Sequence, residues 1–211
     1  MNKKQLYRNV IAWFQANMPV AKSELHYNNP YELMVAVILS AQCTDKRVNM
    51  ITPAFFKACP TLESLAASDK QTVFEYIKSV SYPNSKAAHL IGMAQKVISD
   101  YGGKIPSSVN DLMKLPGVGQ KTANVITSVA FDIPALAVDT HVFRVANRIG
   151  LTDNSQTPAE TERELTKHIP RELWSIAHHW LILHGRYVCT ARKPGCEECG
   201  LAQFCISRSR Y

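Results

Sequence analysis

Four cysteines lie close together near the C-terminal end of this chain and limit what it can fold into. They form the pattern C-x6-C-x2-C-x5-C, with members Cys189, Cys196, Cys199 and Cys205. Four thiolates so close in sequence can surround one metal centre. Zinc ribbons usually have two C-x2-C knuckles, and this tail has a single one with wider outer spacings. The spacing favours an iron–sulfur cluster over zinc only modestly, so both remain open at this point.

Disulfide bonds are the alternative for these cysteines, since the chain has six in all. Disulfides require an oxidising compartment. The first residues carry Lys3 and Lys4 but no apolar signal-peptide core follows them, so we expect a cytoplasmic protein with reduced thiols. Cys43 and Cys59 are then expected to be ordinary free thiols.

The composition predicts a packed protein with a polyanionic partner. Hydrophobic residues make up 46% of the chain, which is enough for a core, and the longest apolar stretch, at 33–39, is too short to span a bilayer. The formal net charge is +7, which favours nucleic acid without requiring it. Arg192 and Lys193 lie between the first two cysteines, and we predict that both contact the nucleic acid or, alternatively, that they belong to a solvated tail.

The chain is predicted to be all-α. It lacks sustained period-two alternation, and Asn-Pro at 29–30 and Thr-Pro at 157–158 mark helix starts. Helices are expected at 3–17, 31–41, 44–58, 61–67, 69–79, 84–100, 108–115, 120–131, 140–149, 158–168 and 171–184. The helix at 31–41 is apolar all round and should be buried, and Gly102, Gly103 and Gly185 should end helices.

A glycine-containing turn separates two of these helices. The segment Leu-Pro-Gly-Val-Gly-Gln-Lys at 115–121 contains Gly117 and Gly119, which permit positive φ and close backbone approach. Such a turn, followed by a helix N-terminus, can bind a phosphate group through backbone N–H groups. The simpler alternative is a plain tight turn between two helices.

Several segments together give the chain a specific resemblance. The segments are Ser-Ala-Gln-Cys-Thr-Asp at 40–45, Asn-Ser-Lys-Ala at 84–87, the turn extended to Asn124, Val-Asp-Thr-His-Val-Phe-Arg-Val at 138–145, His-Trp-Leu-Ile-Leu-His-Gly-Arg-Tyr at 179–187 and the cysteine tail. In this order they resemble the endonuclease III family, DNA glycosylases of the helix-hairpin-helix superfamily. The resemblance spans almost the whole chain.

The resemblance implies two all-α domains with a cleft between them, a helix-hairpin-helix motif and a [4Fe–4S] cluster in the C-terminal loop. We assign residues 22–133 to a central domain with the hairpin at about 108–131. Residues 1–21 and 134–211 form the second domain, with the cluster at 189–205. The partner is double-stranded DNA with damaged bases or abasic sites, bound by a monomer that has no membrane association.

Two residues carry the chemistry that this resemblance implies. Lys121 lies in the first turn of a predicted helix, where the helix dipole disfavours a cation and so favours a nucleophilic amine. Asp139 opens a later helix and could accept a proton or stabilise positive charge on the sugar. Without the resemblance, Lys121 would more often be a surface lysine and Asp139 a helix cap.

Further site residues follow from the need to extract the damaged base from the duplex. Gln42 matches the residue of the family that fills the resulting gap. Tyr82 lies in the segment Ser-Tyr-Pro-Asn at 81–84, where relatives often have Gly-Leu-Tyr, and is expected to contact the opposite strand. Asp45 could line the base pocket or simply begin a helix.

The sequence thus predicts a bifunctional DNA glycosylase and AP lyase of base excision repair that removes oxidised pyrimidines through a Lys121 Schiff base. A glycosylase without lyase activity, such as one specific for adenine or mismatches, is the nearest alternative, and a lysine at 121 argues against the adenine branch. A non-catalytic DNA-binding module is a third possibility and predicts binding without product. In a bacterium the protein would associate with the nucleoid.

Overall fold

The computed structural model describes residues 1–210, and within them the chain is all helical with no strand, as predicted. The α-helices are α1 (Lys3–Asn17), α2 (Pro30–Ser40), α3 (Asp45–Ala58), α4 (Leu62–Ala66), α5 (Lys70–Ile77), α6 (Pro83–Tyr101), α7 (Val109–Leu112), α8 (Gln120–Phe131), α9 (Thr140–Ile149), α10 (Pro158–His168) and α11 (Trp174–Tyr187). Two 3-10 turns lie at Arg171–Leu173 and Arg208–Arg210. No described helix is long and apolar enough to cross a membrane.

The chain divides into two compact units. The first unit comprises residues 1–23 and 134–211, and the second comprises residues 24–133. The first therefore contains α1, α9, α10, α11 and the cysteine tail, and the second contains α2 to α8.

The second unit is built around α2. Every residue of α2 from Leu33 to Leu39 is buried, which confirms the predicted central helix. It packs against α3, α6 and α8. Such burial on all sides follows from a sequence without a polar face.

The first unit has its own core around α1 and α11. Leu6, Val10 and Phe14 form the buried stripe of α1. Phe14 stacks on Trp180 of α11 with ring centroids 5.5 Å apart and planes inclined by 3°. The Trp180 indole donates to the Met18 carbonyl at 2.7 Å, so its polar atom is also satisfied.

Side-chain caps fix many of the helix starts. Asn29 accepts a hydrogen bond from the backbone of Glu32, and Thr157 accepts one from Glu160, each before a proline at the first helical position. These caps satisfy N–H groups that the helix itself leaves free. They confirm the starts that the Asn-Pro and Thr-Pro pairs predicted.

Two helix C-terminal ends differ from the predictions by three residues. The helix predicted at 108–115 is a short α7, because Lys114 and Leu115 donate three residues back, to Asp111 and Leu112, in a tightened last turn. Gly102 does end α6 with φ 60°, but Gly185 lies inside α11, which continues to Tyr187. A Cβ at Gly185 would lie 2.9 Å from the His141 Cβ, so this glycine permits close helix packing rather than ending a helix.

Candidate active site and metal centre

The turn between α7 and α8 uses its two glycines differently. Gly117 has φ 79°, and a Cβ there would lie 2.9 Å from the His89 Cβ. Gly119 has φ −95° and ψ 178°, and a Cβ there would meet no atom within 4 Å. The expectation that both glycines exploit positive φ therefore holds only for Gly117. Gly119 is instead the N-cap of α8 and leaves open space in front of the helix.

Within the described part of the chain, no side chain caps the first turn of α8. The first hydrogen bond of the helix runs from the Ala123 N–H to the Gly119 carbonyl, so the N–H groups before Ala123 precede the helical ladder. Donors of this kind, at the positive end of a helix, attract an anion. The arrangement suits a DNA phosphate.

Lys121 is exposed on this first turn, whereas residues 122–128 behind it are buried in the second unit. The helix thus anchors itself through its buried residues and presents the lysine amine outward. This placement is what a nucleophile for a macromolecular substrate requires.

Asp139 is half-buried and caps α9 in the first unit. Its Oδ1 atom accepts from the N–H groups of His141 and Val142, both at 2.8 Å. Neither bond uses Oδ2. The carboxylate is therefore held in one orientation with an oxygen still available for chemistry.

The four tail cysteines line one apolar cavity together with side chains such as Ile149, Val188 and Leu201. All four are free thiols of intermediate exposure. Among the described residues, no group of three or more His, Cys, Asp or Glu side chains is arranged to hold a metal ion.

The chemistry of the cavity fits a thiolate-bound metal centre. Burial raises the pKa of the Cys199 and Cys205 thiols, and the charges of neighbouring cysteines raise it further. Backbone hydrogen bonds, from Leu201 to Cys199 and from Ser207 to Cys205, act in the opposite direction. Four thiolates would repel one another here, so a positively charged centre is what would hold them ionised together.

Helix α9 supports the wall of this cavity. Arg144 donates to the Cys189 carbonyl at 3.1 Å and the Gly185 carbonyl at 2.8 Å. Arg148 donates to the Thr190 carbonyl at 2.7 Å and lies 3.6 Å from the Cys189 sulfur. The helix that Asp139 caps therefore also fixes the loop that leads into the cysteine tail.

The remaining predicted contact residues lie at the surface or near it. Gln42 and Tyr82 are exposed, and both have positive φ, 54° and 55°. Asp45 is the first residue of α3, which Thr44 caps, so the structure places it at a helix start. Arg192 and Lys193 are exposed in the loop between the first two cysteines.

Sequence reasoning missed four residues beside these sites. Ser81 and Lys86 contact the turn that carries Gln42. Arg148 supports the cysteine loop, and His184 Nε2 lies 3.6 Å from the Cys199 sulfur, where burial lowers the histidine pKa to about 4. Their contact partners are distant in sequence, so no local spacing predicts these contacts. For the residues that lie in helices, the available signal was a polar side chain inside an otherwise apolar helical pattern.

Comparison with known proteins gives matches over the whole chain. The HhH-GPD superfamily base excision DNA repair protein model matches residues 35–171, and the iron-sulfur binding domain of endonuclease III matches residues 189–205. Endonuclease III of Rickettsia conorii is 46% identical over 95% of each chain. Endonuclease III of Bacillus subtilis is 46% identical over 89% of this chain and 85% of its own.

A solved structure is similar throughout as well. A trapped endonuclease III–DNA covalent intermediate, an estranged-adenine complex, has a TM-score of 0.95 and 41% identity, covering 100% of this chain and 99% of that one. The predicted resemblance and cofactor are thereby confirmed, since the iron–sulfur model coincides with the cysteine tail. The chain belongs to the endonuclease III family of helix-hairpin-helix base excision repair proteins, as a DNA glycosylase and AP lyase with a [4Fe–4S] cluster in its tail.

Proposed function

We propose that this protein removes oxidised pyrimidines from double-stranded DNA and cleaves the strand at the resulting or pre-existing abasic sites, with Lys121 as the nucleophile. The observation that carries this proposal is the exposed Lys121 amine on the uncapped first turn of α8, directly after the glycine turn. A phosphate held by that turn would bring a nucleotide next to the amine.

The proposed reaction begins when the neutral Lys121 amine attacks the C1′ atom of the damaged nucleotide. The bond between C1′ and the base breaks, and the base leaves with the bonding electron pair and takes up a proton. Ring opening gives a Schiff base between Nζ and C1′. Loss of a C2′ proton then expels the 3′ phosphate by β-elimination, and hydrolysis of the imine returns the lysine.

Asp139 is proposed to accept a proton from the lysine ammonium and to stabilise the positive charge that develops on the sugar. Its fixed carboxylate supports this role, because a preorganised charge costs no reorganisation during the reaction. Asp139 is therefore both the helix cap and the proposed acid–base group.

Several residues are proposed to bind the DNA around the reacting nucleotide. The backbone N–H groups of the turn at Gly117 and Gly119 hold a phosphate without reading a base. Arg192 and Lys193 add positive charge on the cysteine loop, where both side chains are exposed. Binding by these groups would weaken steeply with added salt.

The flipped-out base leaves a gap, which the exposed Gln42 side chain is proposed to fill. Tyr82, of which 65% is exposed, is proposed to stack on the opposite strand. Asp45 stays a proposed pocket residue, and its position at the start of α3 is equally consistent with a helix-stabilising role alone.

Cys189, Cys196, Cys199 and Cys205 are the proposed ligands of the [4Fe–4S] cluster, since all four line one cavity. When bound, the cluster would offset part of the negative charge of the four thiolates and hold the loop with Arg192 and Lys193 in place. We further propose that the protein acts as a cytoplasmic, DNA-associated monomer.

Borohydride reduction tests the proposal directly. The cluster-loaded protein is incubated with duplexes that carry either a thymine glycol or an abasic site, with an undamaged duplex as the control. A covalent protein–DNA adduct is expected on both damaged duplexes and on neither strand of the control. Release of the damaged base without any adduct would contradict the lysine mechanism and favour a glycosylase that activates water.

A further inference from the structure

Two exposed residues of the second unit, Gln42 and Tyr82, have an uncommon backbone conformation. Among the described residues, the non-glycine residues with positive φ are Gln42, Tyr82, Asp132 and Asn154. Asp and Asn tolerate this region because their short side chains can bond locally, whereas Gln and Tyr have no such advantage. Tyr82 also precedes Pro83, which further restricts its backbone. Such conformations persist only where the surroundings enforce them.

Ser81 provides one enforcing contact. Its hydroxyl donates to the Gln42 carbonyl at 2.5 Å, across 39 positions of sequence. This bond links the turn at residues 41–43, which follows α2, to the turn at residues 79–82, which precedes α6. Each of the two turns carries one of the residues with positive φ.

Lys86 provides a second contact. The residue is only 5% exposed, and its ammonium donates to the carbonyls of Leu39 at 2.8 Å and Ala41 at 2.7 Å. These carbonyls belong to the residues just before Gln42, at the end of α2, where a cation also complements the helix dipole. The Lys86 N–H donates to the Tyr82 carbonyl at 3.0 Å in the first hydrogen bond of α6, so the residue that bonds the first turn belongs to the helix that begins directly after the second turn.

We propose that Ser81 and Lys86 are positioning residues that hold these two turns together. Gln42 and Tyr82 are thereby kept, before DNA binds, in the conformation that enters the duplex. The proposal rests on the proposed function, since it assumes that these two side chains replace the extracted base. It adds that the insertion geometry is preorganised by two residues that do not themselves touch the DNA. Preorganisation raises affinity because less ordering remains to be done on binding.

The size of the effect follows from population arithmetic. If loss of the Ser81 hydroxyl lowers the competent fraction of the turn, the apparent dissociation constant rises by the inverse of that fraction. For Ser81→Ala we expect KM for duplex cleavage to rise by about five- to tenfold, whereas kcat should stay close to the wild-type value. Ser81→Thr keeps a hydroxyl and should restore most of the loss.

The test compares two readouts. The first is the fluorescence of a 2-aminopurine placed opposite a tetrahydrofuran abasic analogue, which reports unstacking by inserted side chains and needs no catalysis. The second is cleavage of a natural abasic site in duplex and in single-stranded DNA. The matched control is Ser99→Ala, because the Ser99 hydroxyl is exposed on α6 and, within residues 1–210, bonds only the neighbouring Lys96 and Asp100.

Ser81→Ala is expected to weaken the fluorescence response and duplex cleavage while leaving single-strand cleavage within about twofold of wild type, because a single strand has no gap to fill. Lys86→Met should change the same readouts in the same direction. Equal losses on both substrates would reveal a merely structural role and overturn the proposal, as would a Ser81→Ala variant that matches wild type throughout. Absence of cleavage by the wild-type protein would instead refute the proposed function. The fluorescence readout would still show whether Ser81 and Lys86 position the two turns.

Discussion

The helix start that carries Lys121 has no side-chain cap, whereas the helix start that carries Asp139 is capped by that residue's own carboxylate. In α8 the capping position is Gly119, and open space lies in front of the helix. In α9 the two donors at 2.8 Å are occupied by Asp139 Oδ1.

A helix start can therefore serve two different parts of a reaction. An uncapped helix start keeps its N–H donors for an external anion, and this suits a phosphate-binding element with an exposed amine. A capped start uses the same donors internally to hold a carboxylate still. We expect variants at the start of α8 to lose covalent-bond formation or DNA binding. Variants at the start of α9 should instead release the base more slowly.

The largest effect is expected at the uncapped start. Lys121→Ala should still bind abasic duplex DNA but give neither a borohydride adduct nor strand cleavage, because the attacking amine is gone. Alanine is a good helix former, so α8 should remain folded. Lys114→Ala, an exposed lysine of the preceding turn, is the matched control and should retain cleavage. Cleavage by Lys121→Ala at the wild-type rate would show that a group other than Lys121 is the nucleophile.

The next effect concerns the far end of the capped helix, where Arg148 of α9 supports the cysteine loop. Cys199→Ser should lose the iron–sulfur chromophore and lower the melting temperature, since a bound centre contributes to folding. Cys43→Ser and Cys59→Ser should keep about four irons per chain. Iron analysis and thermal melting measure this, and retained iron in Cys199→Ser would remove that residue from the ligand set.

Asp139→Asn separates capping from chemistry. Asparagine caps helices as well as aspartate does, so the melting temperature should change little. DNA binding should be as tight or tighter, since a negative charge near the DNA is lost. Single-turnover base release should slow by roughly a hundredfold or more. A variant that releases base at the wild-type rate would leave Asp139 as a helix cap alone.

Gly119→Val tests the phosphate-binding role of the uncapped start. The added side chain enters open space and φ −95° suits valine, so the fold should tolerate it. Binding to damaged and undamaged duplexes should weaken alike, by about tenfold, because the phosphate loses close approach to the backbone. Fluorescence anisotropy over a range of salt concentrations measures this. A change in lesion preference alone would make the turn a specificity element.

Gly117→Ala is the contrast and should destabilise the fold itself, because its Cβ would collide with His89.

The smallest effect is expected at Tyr82. Its ring can stack on any base, so the wild-type rate should vary little among the four opposite bases. Tyr82→Leu should slow duplex cleavage by a fewfold and change the ranking of opposite bases. Cleavage assays with four matched duplexes decide this, and unchanged rates would remove Tyr82 from the DNA interface.

Much of the fold was predictable because its signals are local. The Asn-Pro start of α2 and the Thr-Pro start of α10 are capping patterns, and the apolar sequence of α2 predicted its burial. Gly185 was misinterpreted because the reason for a glycine there is His141 of α9, which lies 44 residues earlier in the chain. A glycine that permits helix contact and one that ends a helix look alike without tertiary information.

The candidate site shows the same limit. The proposed roles of Lys121, Asp139 and the tail cysteines follow from motifs and resemblance, and the resemblance also predicts a DNA contact for Gln42. The contacts that Ser81 and Lys86 make with the turn beside Gln42 join segments about 40 residues apart. No spacing rule predicts such a hydrogen bond, since it depends on how α2 and α6 pack.

Lys121 is proposed to form the covalent bond to the lesion sugar. Borohydride-trapped adduct on an abasic duplex can be digested with protease and nuclease, and the modified peptide sequenced by mass spectrometry. We predict a single modified residue, Lys121, with the reduced sugar on its Nζ atom. Modification of any other amine in the wild-type protein, such as Lys86 or the N-terminus, with Lys121 unmodified, would contradict this role of Lys121.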